Sequence, residues 1–214
     1  MAPHRLSPPN LITMGRILAC PVVFALILIP SATSRLLSFV LFLAAAFSDL
    51  WDGYLARKHG MVTDLGKLLD PLADKLLLAA TFVPFLLLSR GPGEVGPLPW
   101  WGPLPLWVFF LIFGRELAVT LFRAWAARGG VVIAAGKSGK WKALSQNLFV
   151  GGVLLWYPLQ MLSMERGWQG GFWAFWTRVH GAWIGITLSV AIVLTVYSMA
   201  DYFWSYRTLV GVKR

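Results

Sequence analysis

Apolar residues gather into six runs, at about 11–30, 36–56, 65–88, 104–127, 143–162 and 179–203, marked off by Gly, Pro and clusters of charge. Each has roughly the 20 residues that a helix needs to cross a bilayer. A segment in hydrocarbon must close its own backbone hydrogen bonds, so each run is expected to be helical. The connectors are too short for a soluble domain. The pattern predicts an all-α, polytopic membrane protein with six transmembrane helices, forming a single domain over 1–214. The first run has a second reading: residues 1–16 followed by ILACPVVFALILIPSATS also fit a basic leader with a small-residue cleavage site. The apolar stretch continues back through Leu11 and Ile12 to spanning length, which favours a first span.

Composition agrees with this pattern, with 57% hydrophobic residues against 13% charged ones. The basic residues then orient the chain. With six spans both termini share a side with the second and fourth connectors. That side collects Arg5, Arg16, Arg57, Lys58, Lys67, Lys75, Arg123, Arg128, Lys137, Lys140, Lys142, Arg207, Lys213 and Arg214. Arg35, Arg90, Arg166 and Arg178 fall on the other side, and Arg115 lies within the fourth span. The positive-inside bias places both termini in the cytoplasm. The opposite loops are rich in Gly, Pro and Trp, as suits anchors at the headgroup level. A net charge of +10 spread over short connectors fits anionic lipid or an anionic substrate; nucleic acid is not expected as a partner. The single cysteine, Cys20, excludes an internal disulfide and reads as packing.

The acids are distributed differently. Of nine carboxylates, Asp49, Asp52, Asp64, Asp70 and Asp74 all fall in one short stretch, SDLWDGYLARKHGMVTDLGKLLDPLADKL. Asp49 and Asp52 are i, i+3 near the end of the second span. Gly66, Asp70 and Asp74 are spaced i, i+4, i+8 at the start of the third. A hairpin of two helices would bring Asp49, Asp52, Asp70 and Asp74 together. Four like charges cannot stay ionised in a low-dielectric site without a cation. Oxygen-only donors select a hard metal, Mg²⁺ or Mn²⁺. Gly53 and Gly66 lie beside the acidic face; glycine weakens a helix by about 1 kcal/mol, which suggests that something approaches the backbone closely. With Arg57 one turn after Gly53, a metal-bound diphosphate fits the space.

Asp49-x-x-Asp52-Gly53-x-x-Ala56-Arg57, eight residues, then Gly66-x-x-x-Asp70-x-x-x-Asp74 resembles the signature of the CDP-alcohol phosphotransferase family. PPNLITMGRI, LDPLADKLL, GRELAVTLFR, GKSGKWKALSQ and SMADYF are similar to the bacterial branch that makes phosphatidylglycerophosphate. Ala143, where Thr is usual, and Asp64, where Asn or an apolar residue is commoner, depart from the pattern.

The resemblance implies an enzyme near the cytoplasmic face of a bacterial inner membrane, with two divalent ions per site. It would transfer the phosphatidyl group of CDP-diacylglycerol to glycerol 3-phosphate, releasing CMP. It implies that Asp49, Asp52, Asp70 and Asp74 ligate metal and that Asp74 also deprotonates the acceptor hydroxyl. Asn10, Thr13, Gly53, Arg57, Thr63 and Gly66 would hold the CDP-lipid. Membrane lipid surrounds such an enzyme, and the resemblance suggests a homodimer.

Glycerol 3-phosphate requires cations, and Arg115, Arg123, Lys137 and Lys140 are the candidates, with Lys142 either joining them or anchoring at the membrane surface. Arg115, within an apolar span, is a functional candidate by position; the alternative is that Arg115 or Arg123 pairs with Glu116. Asp64 reads as a loop or capping residue, His59 and His180 as structural. Another acceptor (inositol phosphate, serine or phosphatidylglycerol) is the nearest rival reading, and a cation-coupled transporter the rival from another class.

Overall fold

The computed structural model describes residues 8–58, 63–91, 96–131, 133 and 137–207, with the side chains at 50, 52–57, 64–65, 67 and 137–138 outside that description. Six helices follow one another: α1 (Pro8–Leu28), α2 (Ala32–Lys58), α3 (Asp64–Leu88), α4 (Leu106–Arg128), α5 (Lys137–Arg166) and α6 (Gly171–Ser205). Among the described residues the six expected helices are all present. Two begin earlier than the apolar runs suggest. α5 includes the basic turn from Lys137, and α6 includes the aromatic turn from Gly171. Charge and Trp mark where a helix leaves hydrocarbon, and a helix does not have to stop there. At 35 residues α6 is roughly 50 Å long at 1.5 Å per residue, well beyond the ~30 Å hydrocarbon core.

Five segments are long and apolar enough to cross a membrane: Pro8–Leu28, Ala32–Asp49, Leu68–Leu88, Gly139–Arg166 and Gly171–Ser205. α4 is not among them, because Arg115, Glu116, Arg123 and Arg128 interrupt its apolar run. Its outward face still carries large exposed apolar side chains such as Phe110, Leu117 and Leu121, as do Leu18 of α1 and Val193 of α6.

α1 packs on α2 and α3, α5 on α6 and α2, and α4 on α6 with only light contact to α3. The core is a chain of rings, Phe113–Phe82–Phe149–Phe85–Tyr157, with successive centroids 5.5–6.3 Å apart. In a lipid solvent, close packing replaces hydrophobic burial as the adhesive. At Gly152 a Cβ would meet Trp183 and Ile184 of α6 at 3.1 and 3.2 Å, so this glycine lets α5 and α6 approach. Arg35 closes the far end. Its Nε donates to the carbonyl of Ile27 at 3.1 Å, satisfying a last-turn acceptor of α1, while its guanidinium lies 6.0 Å from the Tyr157 ring centroid. Cys20 is buried and His180 bonds the Gly152 carbonyl between Trp156 and Trp176, so both are structural as expected.

Between α3 and α4 the chain makes a tight turn closed by the Leu98–Gly102 bridge. Trp100 takes φ 67°, a costly conformation for a bulky residue. Its ring lies against Gly185 of α6, where a Cβ would fall 2.4 Å from ring atoms.

Candidate active site

The site is organised by α1. Asn10, Thr13 and Arg16 follow at i, i+3, i+6, share one face, and are all buried in an otherwise apolar helix. Each meets an acid or a capping group of α2 or α3. Thr63 N-caps α3 by accepting from the Gly66 amide at 3.0 Å, and donates its own proton to Asn10 Oδ1 at 2.9 Å. Thr13 donates to Asp70 Oδ1 at 2.9 Å and lies 3.1 Å from the Pro9 carbonyl. The Arg16 guanidinium donates from Nη1 to Asp49 Oδ1 at 2.5 Å and from Nη2 to Asp74 Oδ1 at 2.7 Å. Three residues of one helix thus hold two others in register; among the described residues α2 and α3 do not pack on each other as the expected hairpin, and it is α1 between them that brings Asp49, Asp70 and Asp74 to a common seam.

Gly66 has a different neighbour from the one its sequence position suggested. A Cβ there would sit 2.9 Å from Asn10 Oδ1 and 3.2 Å from Thr63 Oγ1. What approaches the backbone in this structure is the Asn10–Thr63 pair.

The opposite wall comes from α4, α5 and α6. Glu116 Oε1 accepts from Arg115 Nη1 at 3.0 Å and from Lys142 Nζ in a very close contact. Lys75 donates to Thr120, whose hydroxyl donates to the Glu116 carbonyl, each at 2.6 Å. Arg123 lies 5.7 Å from the Tyr202 ring centroid. Between the walls is a cavity of roughly 370 Å³. Arg16, Asp49 and Asp74 line one side; Arg115, Arg123, Lys140 and Lys142 line the other, with Asp201 and Tyr202 at the α6 end.

Of the residues expected from sequence, Asp49, Asp74, Arg115, Arg123 and Lys140 therefore share one cavity, while Asn10, Thr13, Thr63, Gly66 and Asp70 form the adjoining α1–α3 seam. Asp52, Gly53 and Arg57 continue α2 beyond Asp49, and Lys137 opens α5, but their side chains lie outside the described residues, as does His59 altogether. Two expectations are refined. Arg115 takes the alternative reading, pairing with its neighbour Glu116 while still facing the cavity. Lys142 is buried and ion-paired, so it is no surface anchor. Arg16, read from sequence as part of a positive-inside tally, is instead a buried bridge between two acids. Its signal was present: it sits three residues after Thr13, on the face that already carried Asn10 and Thr13.

The described acids offer oxygen donors only, which suits a hard divalent ion. Asp49 and Asp74 already converge on one cation, the Arg16 guanidinium. Among the described residues no group of three or more metal-ligating side chains closes by itself, and Asp52 falls outside them.

A helical fold with apolar, membrane-length helices and with acids and cations facing each other across one cavity suits chemistry on anionic groups at a membrane, and comparison with known families makes the class definite. The family model for CDP-alcohol phosphatidyltransferase matches residues 6–197, and the chain belongs to this family. CDP-diacylglycerol--glycerol-3-phosphate 3-phosphatidyltransferase of Bacillus subtilis is 32% identical, over 91% of this chain and 92% of its own length. The chloroplastic/mitochondrial enzyme 1 of that description from Arabidopsis thaliana is 37% identical over 92% of this chain. Cardiolipin synthase (CMP-forming) of Oryza sativa is 36% identical over 67% of this chain. The chain spans only 62% and 44% of the lengths of these two plant relatives.

Proposed function

We propose that the chain transfers the phosphatidyl group of CDP-diacylglycerol to glycerol 3-phosphate, giving phosphatidylglycerophosphate and CMP. The observation that carries this reading is a cavity shared by acids on the α1–α3 side and a cluster of cations on the α4–α6 side. The acceptor carries about two negative charges, and the cation wall has the chemistry to receive them. The relatives from Bacillus and Arabidopsis bear this activity in their names.

Asp49, Asp52, Asp70 and Asp74 would hold two Mg²⁺ or Mn²⁺ ions, and such ions supply positive charge for the phosphates of the donor. The residues of the chain divide the remaining work. Asn10, Thr13, Thr63 and Gly66 shape the seam that, with Gly53 and Arg57, receives the CDP moiety. Arg123, Lys140 and Lys137 draw in the acceptor phosphate, while Arg115, held by Glu116, presents its remaining guanidinium edge to the cavity. Asp74 takes the proton of the acceptor hydroxyl as the new O–P bond forms and the bond from phosphorus to the departing CMP oxygen breaks.

The finer arrangement belongs to the same proposal. α4 is the sixth span, two of its charges, Arg115 and Glu116, being paired with each other and with Lys142 inside the bundle. The positive-inside bias supports a cytoplasmic site and cytoplasmic termini in a bacterial inner membrane, and the enzyme works as a homodimer. The test is CMP release by purified protein from CDP-diacylglycerol with Mg²⁺ or Mn²⁺, offering glycerol 3-phosphate, phosphatidylglycerol, serine and inositol phosphate separately. Release with glycerol 3-phosphate alone is expected. Release with phosphatidylglycerol alone would transfer the chain to the activity named for the rice relative, and no release with any acceptor would overturn the reading.

A further inference from the structure

Arg16 is 5% exposed, sits on a helix that packs against both acid-bearing helices, and spends both terminal nitrogens on acids of different helices. Charge arithmetic makes it conspicuous. Four aspartates balance two divalent ions with nothing left over. A guanidinium beside them is then a surplus positive charge when metal is present, and is needed when metal is absent, because the like charges on Asp49 and Asp74, half-open to solvent but drawn to one guanidinium, repel at short range. A guanidinium is always charged and cannot withdraw by losing a proton. Its only way to yield is to move off one or both carboxylates.

We propose that Arg16 is a resident counter-cation that holds Asp49 and Asp74 in place while metal is absent and competes with the divalent ion for the same oxygens, so that it sets the metal affinity of the site. This rests on the reading that these aspartates bind metal. Arg16 acts here through Asp49 and Asp74 and is a positioning residue. The bridge spans α2 and α3 through α1, so the metal-free site stays assembled, at the cost of weaker metal binding.

The experiment measures Mn²⁺ binding to full-length purified protein without substrate, together with the thermal unfolding midpoint with and without Mn²⁺. Arg16→Gln is expected to lower the metal-free midpoint, to enlarge the Mn²⁺-induced upward shift, and to tighten Mn²⁺ binding by about tenfold or more, since a unit charge at hydrogen-bond range in a partly buried site is removed. Arg16→Lys, which keeps one point charge but loses the two-pronged bridge, falls between wild type and Arg16→Gln, and it decides the matter should the glutamine variant not fold. Unchanged or weaker Mn²⁺ binding in Arg16→Gln, or in Arg16→Lys where that variant decides, overturns the inference while leaving the metal reading intact. Absence of Mn²⁺ binding by the wild type overturns both, which separates the two failures.

Discussion

Glu116 is the single carboxylate against two buried cations, and its replacement gives the sharpest energetic test of the site. Both Arg115 Nη1 and Lys142 Nζ point at the same oxygen, Oε1. Their side chains are 9% and 5% exposed, against 20% for Glu116. Glu116→Gln removes the charge without removing volume, and leaves two desolvated cations facing each other. Breaking a buried pair by deleting one partner costs about 3–5 kcal/mol. The partial exposure of Glu116 places the expected loss at the lower end, about 3 kcal/mol, or roughly a 6–12 °C fall in the unfolding midpoint of a chain this size. Lys142→Met should cost less, because Glu116 keeps Arg115 and the methionine fills most of the lysine's space. The assay is thermal unfolding in detergent followed by the fluorescence of the chain's 12 tryptophans. The order of the two variants is the critical result. If Lys142→Met is as destabilising as Glu116→Gln, or if neither moves the midpoint, the triad does not hold α4 to α5 and the assignment of its energy is wrong.

Two further substitutions test other parts of the molecule. Asp74→Asn replaces the proposed base with an isostere that still accepts from Arg16; turnover should fall by about 10²–10⁴-fold, read as CMP release, while CDP-diacylglycerol still binds. Wild-type turnover in that variant would remove Asp74 from the role. Gly185→Ala drives a methyl to within 2.4 Å of the Trp100 ring as it now stands, so the α3–α4 turn must shift; a loss of about 1–3 kcal/mol in unfolding is expected, and no loss would show that the turn is not seated on α6.

The six helices were legible in the sequence as apolar runs, and five of them are long and apolar enough to obey the rule that a bilayer imposes. Their ends were less so. Lys137 and Gly171 already lie in helix, though charge and tryptophan there read as connectors, because a helix can leave hydrocarbon without breaking. Within the site, Asp49, Asp70 and Asp74 were found from helical spacing alone. The residues that organise them were harder. Arg16 looked like one more cytoplasmic cation until α1 was seen packed between α2 and α3. Gly66 signalled close approach correctly, but not that Asn10 would be the visitor. The pairing of Lys142 with Glu116 spans 26 residues and two helices, and no local pattern encodes such a contact.

The placement of Arg16 also bears on how the protein is made. α1 is made before α2 and α3, carrying a guanidinium of a kind that the bilayer disfavours by about 2.5–3.5 kcal/mol at its centre. Its partners arrive 33 and 58 residues later. At about 5–20 residues per second the second acid appears roughly 3–12 s after the arginine. During that interval the first helix has an unpaid charge and every reason to remain beside the insertion machinery. α1, α2 and α3 are therefore expected to enter the lipid as one unit, with Asp49 and Asp74 serving as the latch that completes their assembly.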